Sequence, residues 1–252
     1  MMRIQVLTLF PEMFNGVFET SIIKRALEQN IVNISLIHIR DFATDKHHIT
    51  DDAPYGGGGG MVMIPEPLSG AIENALRSSQ PDEKRSLAYL SPQGERFNQD
   101  IARELAGMDH LILLCGRYEG VDERICDLYV DREISVGDFV VGGGEIPAMM
   151  VIDAVVRLLP GAIGNEDSYQ NDSFYTGLLD YPHYTRPREF KGLSVPEVLV
   201  SGHHLEIEKW RRRKALERTL LRRPDLLKSA PLTPEDKKLL KELRKQHNLP
   251  ET

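Results

Sequence analysis

Ser135-Val136-Gly137-Asp138-Phe139-Val140-Val141-Gly142-Gly143-Gly144-Glu145-Ile146-Pro147 is the stretch on which the fold turns: a polar strand end runs through three consecutive glycines into an apolar stretch of helical character. Glycine opens main-chain N–H and C=O groups to close approach, at a cost of about 0.5–1 kcal/mol relative to alanine inside a regular element. A tight turn ahead of a helix from Glu145 to Leu159 accounts for one or two of the three. Two other strand ends share this character, Tyr89-Leu90-Ser91-Pro92-Gln93-Gly94 and Cys115-Gly116-Arg117-Tyr118-Glu119-Gly120. Meeting at one edge of a sheet, the three would offer a ligand a wall of bare backbone.

Working outward, Arg3 to Phe10, Ile31 to Ile39, Ser86 to Leu90, His110 to Cys115 and Tyr129 to Val136 read as short strands rich in Val, Ile, Leu or Tyr. Helical patterns fall between them at Ser21 to Gln29, Pro65 to Ser78, Asn98 to Ala106 and Val121 to Leu128. That alternation predicts an α/β domain, a mostly parallel sheet with helices on both faces, over residues 1–160. Ligands of such sheets bind outside the carboxyl ends of the strands, where the three loops lie. A Gly-x-Gly-x-x-Gly after the first strand and a phosphate-loop Gly-Lys pair are both missing, so dinucleotide-binding Rossmann and P-loop readings fail. The run Gly56-Gly57-Gly58-Gly59-Gly60 has no following Lys-Ser or Lys-Thr, so it reads as a mobile loop near the substrate rather than a phosphate cradle.

Hydrophobic residues make up 41% of the 252, ordinary for a globular chain. No run approaches the roughly 18 apolar residues of a membrane span, and Met1 to Val6 reads as a strand rather than a signal peptide, so a cytoplasmic protein is expected. Cys115 and Cys126 lack the partners of a disulfide framework or a zinc site and are expected as reduced packing residues. The net charge of −7 is unevenly spread: Leu205 to Thr252 holds 14 Lys and Arg against 8 Asp and Glu, a net +6 against −13 for the rest. Overall acidity therefore does not exclude nucleic acid, which needs only a local basic face. A polar segment, residues 161–172, predicts a flexible linker, and 173–252 a small all-helical domain with Thr233 as N-cap and Pro234 at the first position of its last helix.

In order and in residues, the three loops resemble the bacterial tRNA (guanine-N1)-methyltransferases of the trefoil-knot SPOUT superfamily, which modify the guanosine at position 37, just 3′ of the anticodon. The resemblance extends through Asp52 to Met63, Asp172-Ser173-Phe174, Gly177 to Pro187 and Val195 to Trp210, and stops only beyond about Leu227. Gly142 stands where the family usually has threonine, and Gly59 where it often has proline or alanine. The resemblance implies a deep C-terminal trefoil knot that holds S-adenosylmethionine. One wall of that site would be Tyr89, Leu90, Ser91 and Pro92, a second Gly116, Tyr118 and Glu119. The third would be Ser135, Val136, Gly137, Asp138, Phe139, Val140 and Val141 with Gly143, Gly144 and Pro147. It further implies Asp172 as the base at guanine N1, Arg157 as the cation at O6, a homodimer whose active site is shared between chains, tRNA as partner, and magnesium as a family trait.

Blander readings stand beside these. Tyr118 suits a packed aromatic, Glu119 a solvated carboxylate, Asp172 an N-cap before Ser173-Phe174, and Arg157 a solvated helix charge. Asp51 and Asp52 fit either a structural turn or contact with RNA base edges. Trp210-Arg211-Arg212-Arg213-Lys214, Arg218 and Arg222-Arg223 form the densest basic run, suited to phosphates or to a plain amphipathic face. His183, Tyr184, Arg186 and Arg188 occupy a proline-bounded loop where an unstacked base could be gripped, His203 and His204 suit capping or packing, and Asp180 suits a structural or base-contacting role. Two rival functions remain, methylation of a ribose or another base by the same fold, and a catalytically silent RNA-binding module.

Overall fold

The protein is described by a computed structural model covering residues 1–164 and 172–250, and its contacts divide the chain into two units, Met1–Asn165 and Glu166–Thr252. The predicted linker 161–172 falls largely on residues outside those described.

The first unit is built on strands β1 (Met2–Thr8), β2 (Val32–His38), β5 (Arg85–Arg96), β6 (His110–Cys115) and β7 (Arg132–Ser135), which form one sheet in the order β2-β1-β6-β5-β7. Every pairing in it is parallel. The helices are α1 (Asn15–Phe18), α2 (Ser21–Glu28), α3 (Pro65–Arg77), α4 (Gln99–Ala106), α5 (Glu123–Tyr129) and α6 (Glu145–Val156). Side chains alternate across a strand, and here that alternation separates two cores. Ile4 and Val6 of β1 with Leu111 and Leu113 of β6 pack beneath α2, α4 and α6, while Leu7, Ile112 and Leu114 pack beneath α3 and α5. The central strand β6, His-Leu-Ile-Leu-Leu-Cys, is buried throughout, as a strand covered on both faces must be.

Sequence and structure differ at the strand ends. The reading stops β5 at Leu90, whereas the strand resumes through Arg96: Leu90 and Glu95 both pair with Ile134, and residues 91–94 bulge between them. Gly94 permits this, because a Cβ there would lie 2.4 Å from the Ile134 nitrogen. α5 begins two residues late because Asp122 accepts a hydrogen bond from the Arg124 N–H and caps it. Residues Asp51–Asp52 and Val62–Met63 pair as a short antiparallel hairpin, β3–β4, that sequence reading treats only as the flanks of a glycine loop.

The second unit carries α7 (His204–Arg222) and α8 (Pro234–Gln246) around a core of Leu178, Ala215, Leu216, Leu220, Leu240 and Leu243. Fully burying each such leucine contributes about 1.5–3 kcal/mol. α7 starts six residues before Trp210, where the periodicity first becomes leucine-rich. The Thr233 cap is present and is a full capping box, with Asp236 as its reciprocal partner. Asp236 also takes two hydrogen bonds from Arg212, at 2.9 and 2.6 Å, which tie α8 to α7 and hold its carboxyl below the usual range. The unit is not purely helical, since Glu189–Phe190 and Leu193–Ser194 form a second hairpin, β8–β9.

Candidate active site

At the carboxyl edge of the sheet the three loops converge on one cleft of about 300 Å³. Tyr89, Leu90, Ser91 and Pro92 line it from the β5 bulge. Gly116, Tyr118 and Glu119 line it from the loop after β6. Ser135, Val136, Gly137, Phe139, Val140, Val141, Gly143, Gly144 and Pro147 complete it. Gln93, Arg117, Gly120, Ile134 and Gly142 also line it and are absent from the sequence prediction, though chain continuity with their neighbours could have included them. Asp138 is the one predicted wall residue that does not line the cleft; its carboxylate is exposed and paired with Arg96. Tyr118 is 53% exposed at a left-handed φ of 58°, so the packed-aromatic reading fails. Tyr89 is the packed one, and burial pushes its hydroxyl up to about 12.

The glycine run has a second purpose that sequence did not disclose. Glu145, first residue of α6, is fully buried; it accepts a hydrogen bond from the Thr8 hydroxyl at 2.8 Å and faces the Arg117 Nε at 2.9 Å. Arg117 also donates to the Gly142 carbonyl at 2.8 Å and stacks 4.3 Å from the Phe10 ring centroid. One guanidinium thus joins the end of β1, the loop after β6 and the glycine run. A Cβ at Gly143 would lie 2.3 Å from Arg117 Nε, and one at Gly144 2.6 Å from the Cys115 Cα. Both glycines are demanded by packing. Gly142 has open room, with its nearest neighbour at 3.7 Å, so packing does not demand glycine there.

The wall after β6 is braced from outside by the β3–β4 hairpin: Glu119 N–H donates to the Met61 carbonyl at 2.9 Å, and Met63 N–H to Gly120 at 3.0 Å. Gly60 packs directly on Glu119. Cys115 is fully buried and Cys126 half-buried, both free; burial raises the Cys115 thiol far up and the Cys126 thiol to about 11, so neither is a nucleophile.

Arg157 lies at the C-terminal cap of α6, half-buried, in the first unit. Asp172 belongs to the second, where it lines a hollow of about 210 Å³ with Asp180, Tyr181, Glu208, Arg211 and Arg212. Asp180 accepts from the Tyr181 N–H at 2.7 Å on Oδ1 and lies 2.6 Å from His183 Nε2 through Oδ2, while Arg211 stacks 5.1 Å from the Tyr181 centroid. Tyr184 packs on Trp210 at 6.3 Å. Most of the basic run is internally engaged: Arg212 by Asp236, Arg213 by Gln246, Lys214 by Glu217, Arg218 by the Asp180 carbonyl and Arg223 by Asp225. His203 occupies the N-cap position of α7 but makes no side-chain cap bond, and both it and His204 are exposed, so neither the capping nor the packing expectation is met. Among the described residues no three His, Cys, Asp or Glu side chains cluster as a metal site, and no helix is long and apolar enough to cross a membrane.

The fold is of the α/β class, a parallel sheet with a backbone-lined cleft at its carboxyl edge, the place where ligands of such folds bind. The family model for tRNA (Guanine-1)-methyltransferase TrmD matches residues 2–229. Among similar relatives, the tRNA (guanine-N(1)-)-methyltransferase of Pelotomaculum thermopropionicum is 58% identical over 96% of this chain and 96% of its own. Those of Moorella thermoacetica and Dictyoglomus turgidum are 56% and 52% identical, over 97% and 98% of this chain and 98% of each of theirs. The chain belongs to the tRNA (guanine-N1)-methyltransferase family.

Proposed function

We propose that this protein transfers the methyl group of S-adenosylmethionine to N1 of the guanosine at position 37 of tRNA. The observation that carries the reading is the convergence of the three loops on a single cleft. Its size is at the lower end of small-molecule sites, about 300–1,000 Å³, and its lining combines apolar side chains with main chain, as an adenine and a ribose require. A side chain at position 116 would fill the space beside the Tyr89 ring, 2.8 Å away. Bound S-adenosylmethionine supplies an electrophilic methyl on a sulfonium. Tyr89, Leu90 and Pro92 would offer the donor apolar surface, and the main chain of residues 136–141 would offer its polar groups hydrogen-bond partners. Asp172 takes the N1 proton, and Arg157 holds the negative charge that then develops on O6.

In this reading Asp172 and Arg157 act in trans. The protein is a cytoplasmic antiparallel homodimer in which one chain supplies the cleft and the other the two catalytic side chains. Ile146 and Met150, one turn apart on α6 and 49% and 46% exposed, suit such an interface. The chain would thread residues 135–144 past the β5 bulge as a trefoil knot, residues 161–172 would link the two domains, and magnesium would assist from outside a dedicated protein site.

Incubation with labelled donor and tRNA transcripts carrying guanosine or adenosine at position 37 tests the reaction. 1-Methylguanosine should form from the first alone; label in a ribose, or equal label in both transcripts, refutes it. Asp172→Ala should lower turnover about 10²–10⁴-fold with donor binding intact. Activity within about threefold of the parent would remove Asp172 from its role. Mixing that variant with one defective in the cleft should restore activity if sites are shared.

A further inference from the structure

Every residue from His183 to Ser194 is exposed. The second half of this excursion is the β8–β9 hairpin, in which Phe190 pairs with Leu193 across a two-residue turn. Lys191 (φ 50°) and Gly192 (φ 79°) both adopt left-handed backbone, the geometry of the tight turn whose twist matches two antiparallel strands. Glycine takes that conformation freely. Lysine rarely does, and a strained residue at a loop apex is a pointer to function. The base of the hairpin is closed by Arg188, whose guanidinium lies 2.9 and 2.8 Å from the two Glu197 carboxylate oxygens, and by a 2.9 Å bond from the Val195 N–H to the Arg188 carbonyl.

The hairpin commits its apolar pair to solvent: Phe190 is 60% exposed and Leu193 77%. Packing offers no reason for it, since strands of two residues bury almost nothing. Lys191 Nζ lies 5.5 Å from the Phe190 centroid, and Arg186 is exposed four residues earlier. With Arg188 paired to Glu197, the tip presents one aromatic ring with the Lys191 ammonium beside it and an exposed Arg186 four residues back in the chain, against the single carboxylate of Glu189. Two apolar side chains are far too few for a protein partner, whose interface would bury about 1,000 Å² or more. A flat ring beside cations matches a different chemistry, an unpaired nucleobase with its phosphates.

We propose that the β8–β9 hairpin is a recognition finger on which an unpaired base of the RNA substrate stacks against Phe190, while Lys191 and Arg186 contact the adjoining phosphates. It rests on the reading that the substrate is tRNA. The test uses the full chain and a tRNA transcript bearing 2-aminopurine at each anticodon-loop position in turn, with affinity measured without donor across a salt series. Phe190→Ala should weaken binding about tenfold, in the range of base–aromatic stacking, with the salt slope unchanged and the affinity restored in Phe190→Tyr. Lys191→Ala should lower the slope of log K against log salt by about 0.7, the share of one single-strand phosphate. Quenching at one loop position should disappear in Phe190→Ala. Phe190→Ala binding within twofold of the parent overturns the finger, as does a change in sedimentation with RNA affinity intact, which would make the hairpin a contact between protein copies. Because binding is read without the donor, a failure of methyl transfer would strike the proposed reaction and leave this measurement standing.

Discussion

The two ends of the central sheet are finished in opposite ways. At the carboxyl edge the loops give up side chains, and the cleft is walled by main chain and by glycines at 116, 137, 143 and 144. At the amino edge polar side chains close completely on one another. His110 is fully buried, with Nε2 2.9 Å from Gln5 Oε1 and Nδ1 2.9 Å from the Ser79 hydroxyl, while Arg3 joins it at 3.4 Å and pairs with Glu83 at 2.5 Å. The Gln5 oxygen can only accept, so Nε2 carries the hydrogen and Nδ1 accepts from Ser79 and Arg3. The imidazole is locked neutral, and desolvation with the Arg3 charge lowers its pKa to about 4. One edge leaves hydrogen-bonding capacity open for a ligand, and the other consumes it within the fold.

The contrast breaks most severely at the buried Glu145, which faces the cleft-lining Arg117. Glu145→Ala should strand the Arg117 guanidinium and cost about 3–5 kcal/mol, as removal of one partner from a buried ion pair does; urea denaturation measures it, and a loss under 1 kcal/mol would show that Arg117 is held by Gly142 and Phe10 alone. Gly144→Ala comes next, at about 3 kcal/mol, the upper end of overpacking, because the new Cβ meets the Cys115 Cα at 2.6 Å and neither backbone can yield. Its donor affinity, read by calorimetry, should fall with it.

The amino edge should reveal itself through acid. His110 binds its proton only near pH 4 when folded but near 6.5 when unfolded, so the unfolded state holds more protons between those values and stability must fall as pH drops through that window. The loss should be on the order of 2 kcal/mol, less than the full separation implies because Arg3 keeps partial contact with solvent. His110→Gln should flatten the slope above pH 5. The Glu83 carboxyl, held low chiefly by the Gln80 amide and also by Arg3, loses stability in the same direction as pH falls and adds to the acid end of this loss. The smallest effect sharpens the comparison within the cleft: Gly142→Ala should change stability by under about 0.5 kcal/mol, since nothing lies closer than 3.7 Å.

Much of this was legible in the residues. β6 agrees with its predicted span residue for residue, because a central parallel strand carries an unbroken apolar run, here Leu111 to Cys115, and needs no partner to be seen. The Thr233 cap was equally plain, since Thr-Pro followed by acidic residues is a local signal. The β5 bulge was hidden, because Gly94 looks like the end of a strand until Ile134 is brought against it. Tyr118 and Tyr89 could not be told apart by type; only the packing of Tyr89 under α3 and α5 and the left-handed backbone of Tyr118 separate them. The basic run around Arg211 looked available for phosphates, yet its partners Asp236, Gln246 and Glu217 come from other turns or another helix.

By itself the sequence determined the α/β class, the central strands and the family, because these are written in local periodicity and in long contiguous motifs. Tertiary structure alone decided why the glycines are there, which cations are spent on the fold and that Thr8, Arg117 and Glu145 meet. Those depend on distances between residues up to 137 positions apart. No local pattern encodes such a distance, and only packing, which admits or refuses a single Cβ, sets it.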